Sequence, residues 1–172
     1  MGIFNFIKEA GEKLLGGKPA QAASTEVVPA LANNEEDIKA ANLVAVTSIT
    51  NYIIKMGLKA DNLKILVDAG KGTVTVSGEA ADQETREKII LCCGNTKGIE
   101  RVIDEMTVKA AEPQAQMHTV EKGDTLWKIA EKYYGKGKGN EYTKIFEANK
   151  PMLSDPDKIY PGQVLRIPPL AA

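Results

Sequence analysis

One histidine, one tryptophan and two cysteines are all that this 172-residue chain offers to the chemistries that depend on those side chains. A structural zinc site needs four nitrogen or sulfur ligands, and one histidine with two adjacent cysteines cannot supply them. No Ser/His/Asp or Cys/His arrangement suggests an activated nucleophile. The loop Gly135-Lys-Gly-Lys-Gly139 lacks the spacing of a phosphate-binding loop. Asp and Glu are spread along the chain with no pair that stands out as acid and base. The chain is therefore expected not to be an enzyme, and His118, at a strand start, is expected to be exposed.

Charge of one sign is also lacking. Twenty-two Lys and Arg face 23 Asp and Glu, a formal charge of −1. No basic excess is available to neutralise phosphates, which argues against nucleic acid, and no polybasic patch would hold anionic lipid. Long apolar runs are absent, so no segment can span a bilayer. Lys8, Glu9, Glu12 and Lys13 interrupt the apolar start, which excludes the h-region of a secretory signal. Phe6 stands where the myristoylation pattern needs Ser or Thr. The expectation is a cytoplasmic monomer with no membrane partner.

Cys92 and Cys93 are neighbours on a predicted helix. They point in different directions there and are not expected to bridge. A buried, unreactive pair is the plainer reading, since free cysteine behaves as a small apolar residue.

The apolar residues that are present, 43% of the chain, fall into separate patterns. Ile3, Ile7, Ala10 and Leu14 recur at helical spacing and predict a short amphipathic helix over residues 3–15, within an N-terminal unit of residues 1–17. Residues 18–35, rich in Ala, Ser and Pro, read as a linker. From residue 36, Ile38, Ala41, Ala45, Ile49, Tyr52, Ile53 and Met56 mark one face of a helix that Gly57 can stop. Leu63, Ile65 and Val67 alternate as a strand, and Val74 and Val76 as its return after the turn Asp68-Ala-Gly-Lys-Gly72. Asp82 can cap a second helix, and Glu84 and Glu87 suit its positive end. That helix buries Ile89, Ile90 and the cysteines and stops at Gly94. A third strand runs from about Glu100 to Lys109. The order is α-β-β-α-β over residues 36–109.

Residues 110–116 form a second linker. Residues 117–170 then give β-α-α-β. Asp124 is placed to cap the first of these helices, which buries Leu126, Ile129, Ala130 and Tyr133. Tyr142, Ile145 and Phe146 mark the second. Tyr160-Pro-Gly-Gln163 fits a type II turn, with Pro second and Gly third, before a closing strand over Val164–Ile167. The fold class is α+β, in two small domains.

Two family resemblances attach to these patterns. Gly72-Thr-Val-Thr-Val-Ser-Gly78, the helix after it and Gly98-Ile-Glu-Arg-Val102 make residues 36–109 resemble a BON domain. Gly123-Asp-Thr-Leu126 with Ile159-Tyr-Pro-Gly-Gln163 makes residues 117–168 resemble a LysM domain. The N-terminal Met1-Gly-Ile-Phe-Asn-Phe-Ile7, then BON, then LysM with Ile145-Phe-Glu-Ala-Asn-Lys-Pro-Met-Leu153, is similar to a family of bacterial cytoplasmic potassium-binding proteins. The segment from about Leu15 to Asn34 departs from that family in length and composition. The resemblance implies a K⁺ sensor or buffer associated with potassium stress.

K⁺ is large and singly charged, and carbonyl oxygens can replace its hydration shell without the carboxylates that Ca²⁺ demands. Its ligands can thus be residues of any type. The last carbonyls of a helix lack intrahelical partners and carry about half a negative charge. The helix ending at Cys93-Gly-Asn-Thr-Lys-Gly-Ile99 has two glycines to turn such carbonyls inward. With the family resemblance, the expected shell is the backbone carbonyls of Ile7, Ala10, Gly94, Thr96 and Ile99, with docking of the N-terminal helix dependent on the ion.

The rival ligand is a glycan. LysM domains commonly hold N-acetylglucosamine chains through two loops, which here map to Gly123, Asp124, Thr125 and Leu126, and to Ala148, Asn149, Lys150 and Pro151. The plainer alternative is that these residues cap helices and shape turns. Two small domains on linkers also suit an adaptor for an unidentified protein partner.

Overall fold

A computed structural model describes residues 2–6 and 35–170. Its element order is β1 (Gly2–Asn5), α1 (Glu35–Lys55), β2 (Ala60–Asp68), β3 (Thr73–Ala80), α2 (Gln83–Gly94), β4 (Arg101–Val108), β5 (Gln116–Thr119), α3 (Leu126–Tyr134), α4 (Tyr142–Ala148) and β6 (Val164–Ile167). The α-β-β-α-β and β-α-α-β units are both present.

The first unit is a four-stranded sheet in the order β1-β4-β3-β2, with α1 and α2 on one face. β2 and β3 form an antiparallel hairpin, and β3 and β4 run parallel, joined by α2 as a crossover. Asp82 caps α2 as its residue type predicts, its carboxylate accepting from the Thr85 N–H at 2.7 Å. Acidic residues fill the first turn of α1 and Lys55 its last, as the helix dipole favours. Alternation sends Val74, Val76, Val102 and Met106 inward, where they meet Ile49, Ile53, Ile89 and Ile90.

Gly2–Asn5 form a strand, not the start of a helix, and pair antiparallel with β4 from Gly2↔Asp104 to Asn5↔Arg101. Phe4 and Phe6 lie two residues apart and pack on the sheet core. Period two suits that sheet, and β4 offers an edge whose N–H and C=O groups need partners. An isolated helix of that length has no comparable gain. β1 therefore belongs to the BON sheet. The remainder of the expected helix and residues 18–34 of the expected linker lie outside the described residues, while Glu35, counted in the linker, already begins α1.

In the second unit, β5 and β6 pair antiparallel. They cover a core of Val120, Leu126, Ile129, Ala130, Ile145, Leu153, Leu165 and Ile167. Gly162 has φ +89°, and Gln163 N–H donates to the Tyr160 carbonyl at 3.1 Å, which is the turn that Pro161-Gly162 predicts. β5 begins at Gln116, slightly earlier than the sequence suggests.

Two expectations in this unit fail together. His118 is buried, at 4% exposure. Its Nε2 lies 2.8 Å from Asp124 Oδ2 and its Nδ1 3.1 Å from the Tyr133 hydroxyl. Asp124 is thereby drawn away from capping: it accepts from the Glu121 N–H at 2.9 Å, and Thr125 caps α3 instead, accepting from Lys128 N–H. Burial pushes the Asp124 pKa up, but the Glu121 N–H and His118 outweigh that and hold it below its ordinary value.

Candidate ion-binding turn and the domain junction

The end of α2 is closed by a compact set of bonds. Asn95 N–H donates to Leu91 O at 2.9 Å, Thr96 Oγ1 to Cys92 O at 2.8 Å and Thr96 N–H to Cys93 O at 3.4 Å. Three of the four terminal carbonyls of the helix are thereby engaged. Among the described residues the fourth, Gly94 O, receives no backbone hydrogen bond. Ile99 N–H then donates to Thr96 O at 3.2 Å, folding residues 96–99 back on themselves, and Gly98 takes φ +87° to allow it. That bond uses one of the two acceptor positions of the Thr96 carbonyl and leaves the other. The structure thus brings Gly94, Thr96 and Ile99 together in one turn. Ile7 and Ala10, the other expected ligands, lie outside the described residues.

The turn has a lid and a floor. Phe6 N–H donates to Glu100 O at 2.8 Å, and the Phe6 ring lies directly on Gly94: a Cβ there would fall 2.0–2.2 Å from ring carbons. Glycine at 94 is therefore required by the close approach of β1 as much as by the turn. On the inner side Cys92 and Cys93 are free and fully buried. Burial pushes the Cys92 thiol up to about 12 and the Cys93 thiol well above its ordinary value, so neither is a thiolate at neutral pH.

Among the described residues no group of three or more His, Cys, Asp or Glu side chains could hold a metal ion. A cation at this turn would depend on carbonyl oxygens, a donor set that suits a weakly hydrated monovalent ion. The residues fit K⁺ in that chemical sense.

The turn is also the junction between the two domains. Asn95 Nδ2 donates to Val164 O and Val164 N–H donates to Asn95 Oδ1, both at 3.1 Å and both buried. Val164 packs into the core of the first domain although it begins the closing strand of the second. About two turns back along α2, Glu87 accepts from Arg166 Nε at 2.5 Å, from Gln83 Nε2 at 2.8 Å and from Ala115 N–H at 2.9 Å. Cys92 Sγ lies 3.6 Å from Met152 Sδ. Sequence reasoning misses this junction: it gives Glu87 only a place at the positive end of the helix and gives Asn95 no role. The available signal was Arg166, a charge inside the closing strand Val164-Leu-Arg-Ile167, all four of which are buried.

The residues mapped to a glycan are occupied in building the fold. Leu126 and Ala148 are buried, Thr125 caps α3, and Asp124 holds His118. Asn149 donates to Ile145 O and Arg166 O and accepts from Arg166 N–H, all within 2.8 Å. Lys150 pairs with Glu147 at 2.7 Å and precedes a cis Pro151. Gly123, with φ +90°, has open space around its Cα.

A BON-type sheet fused through a buried polar junction to a LysM-type unit defines a two-domain protein of binding modules. The family models agree: BON matches residues 45–110 and LysM residues 118–168. The potassium binding protein Kbp of Escherichia coli O6:H1 is 42% identical over 169 residues, covering 98% of this chain and 99% of that protein. The chain belongs to the Kbp family. Other similarities are confined to about 30% of the chain. The spore coat assembly protein ExsA of Bacillus cereus and the SpoIVD-associated factor A of Bacillus subtilis are each 43% identical over 53 residues, which cover 31% of this chain and only 7% and 12% of those proteins.

Proposed function

We propose that this chain binds K⁺ at the turn that ends α2, as a potassium sensor or buffer of the bacterial cytoplasm. The observation that carries the reading is 42% identity along nearly the whole chain with a potassium binding protein, on a chain whose α2 ends in a glycine-framed turn where no described backbone N–H donates to the Gly94 carbonyl. The carbonyls of Gly94, Thr96 and Ile99 supply part of the shell, and those of Ile7 and Ala10 complete it from the N-terminal side. The negative end of α2 favours the cation. Binding, not catalysis, is the activity this predicts.

The output follows from the same geometry. Asn95 lies between two proposed ligands and holds Val164 of the second domain. An ion that fixes the 94–99 turn also fixes the grip on β6, so K⁺ favours the docked form by its differential affinity for it. Glycan binding is not favoured, because the whole-length similarity is to a potassium binding protein.

Titration with KCl, NaCl and CsCl at constant ionic strength, followed by NMR of the amides of Ile7, Gly94–Ile99 and Val164, tests the proposal. Saturable shifts with K⁺ that Na⁺ does not reproduce are expected. Equal and non-saturating responses to all three salts would overturn a selective site. Removal of residues 1–14 is expected to weaken binding, and unchanged affinity would take Ile7 and Ala10 out of the shell.

A further inference from the structure

The helices cover one face of the BON sheet. On the other face, strand register places Ile3 opposite Ile103, Ile103 opposite Thr75, and Thr75 opposite Leu66. These four residues form a row that crosses all four strands. Ile3 is 63% exposed and Leu66 54%, whereas large apolar side chains on an open face are normally scattered singly. Three apolar residues in this row, interrupted by Thr75, lie on a face that none of the described helices covers, and such a row calls for a partner.

The rows on either side identify which partner. Two residues along in one direction, the same strands carry Arg101 on β4 and Asp68 on β2, matched through Thr73. Two residues along in the other, they carry Glu105 on β4 and Lys64 on β2, matched through Ser77. The charges on each strand are thus reversed about the stripe: Arg101-x-Ile103-x-Glu105 on β4 and Lys64-x-Leu66-x-Asp68 on β2. A twofold axis along the stripe lays Ile103 on Ile103 and Leu66 on Leu66 of a second copy. The same operation sets Arg101 against Glu105 and Lys64 against Asp68, four oppositely charged contacts in all. A twofold along the strands would instead put Arg101 against Thr73 and Asp68 against Asn5, with no charge matched.

We infer that this face is a self-complementary surface through which two copies of the chain associate, sheet on sheet. Such a twofold interface uses one patch on both partners, and sheets stack face to face about 10 Å apart with strands within about 30° of each other. Four strands at about 4.8 Å spacing give a stripe only some 15 Å long. The contact therefore falls among small, transient interfaces, and the chain is a monomer when dilute and a reversible dimer when concentrated.

Sedimentation velocity on the full chain, over a micromolar to near-millimolar series, tests this independently of the ion. The weight-average sedimentation coefficient is expected to rise with concentration, and more at low salt than at high. Arg101→Glu puts like charges opposite each other twice, and should weaken association by about tenfold or more. Leu66→Lys, which breaks the stripe, should abolish it. The swap Arg101→Glu with Glu105→Arg keeps the pattern self-complementary, and should restore association where Arg101→Glu alone has lost it. Circular dichroism checks that each variant is folded, since all three positions are exposed. A concentration-independent monomer, or a swap no better than the single reversal, would overturn the inference.

Discussion

The side-chain amide of Asn95 grips the backbone of Val164 as a neighbouring strand would, donating to its carbonyl and accepting from its N–H at 3.1 Å each. Both groups are buried, so truncation leaves a donor and an acceptor without water or protein to satisfy them. Asn95→Ala is expected to cost about 2–6 kcal/mol, from two unsatisfied groups at roughly 1–3 kcal/mol each. Asn95→Asp keeps the acceptor for Val164 N–H but turns a carboxylate oxygen toward Val164 O, and should cost at least as much. Urea denaturation checks both, and a loss below about 0.5 kcal/mol would show that the grip is not a stabilising contact.

Glu87 and Arg166 form the second tie, with only 3% and 7% of their side chains exposed. Charges this deep are costly to desolvate, and the pair holds because Glu87 also accepts from Gln83 and Ala115. Removing one partner strands the other. Glu87→Leu and Arg166→Met should each destabilise the fold by about 3–5 kcal/mol, while the double substitution recovers much of that loss. A denaturant-based double-mutant cycle measures the recovery, and strictly additive losses would contradict the pairing.

Phe6 on Gly94 joins β1 to the candidate ion turn. A methyl at 94 would penetrate the ring, so Gly94→Ala must displace either Phe6 or the turn. Overpacking of this kind costs about 1–3 kcal/mol. Phe6→Leu removes the ring plane that collides, so the two substitutions should couple, with the double variant more stable than the sum of singles predicts. If K⁺ is held there, Gly94→Ala alone should also weaken the K⁺ response of the Thr96 and Ile99 amides.

The sequence reveals most of what local chemistry decides. Asp82 caps where an aspartate before an apolar helix should, the Val74/Val76 and Leu63/Ile65/Val67 alternations become paired strands, and Gly162 supplies the positive φ that its turn type requires. What escapes is decided by non-local partners. Phe4 and Phe6 fit a helix as readily as a strand until the free edge of β4 is known. His118 reads as exposed because Tyr133 and Asp124, which bury and satisfy it, are 15 and 6 residues away. Asp124 has the residue type of a cap but lies one position too early once Thr125 takes the role. The candidate ion turn is legible only through its glycines, since backbone carbonyls leave no residue signature. Its coupling to the second domain through Asn95, 69 residues from Val164, leaves no signature of its own.

Asp82 provides a pH test of local stability. The Thr85 backbone N–H is the main cause that holds its carboxyl below the ordinary 3.8 of an aspartate. A carboxyl whose folded pKa is depressed contributes stability that is fully present above its unfolded value. That contribution is lost as pH falls through the lower, folded value. At pH 7 the cap should therefore be worth about 1 kcal/mol, the usual cost of replacing an N-cap aspartate by alanine. Below about pH 4 the difference between the wild-type chain and Asp82→Ala should shrink as the carboxylate is protonated. Asp82→Asn should retain most of the cap at every pH, because its side-chain oxygen still accepts from N3 and carries no titrating charge. Urea denaturation of the three proteins at neutral and acid pH separates these behaviours. A gap between wild type and Asp82→Ala that stayed constant into strong acid would mean that the loss comes from packing at the head of α2 and not from the carboxylate.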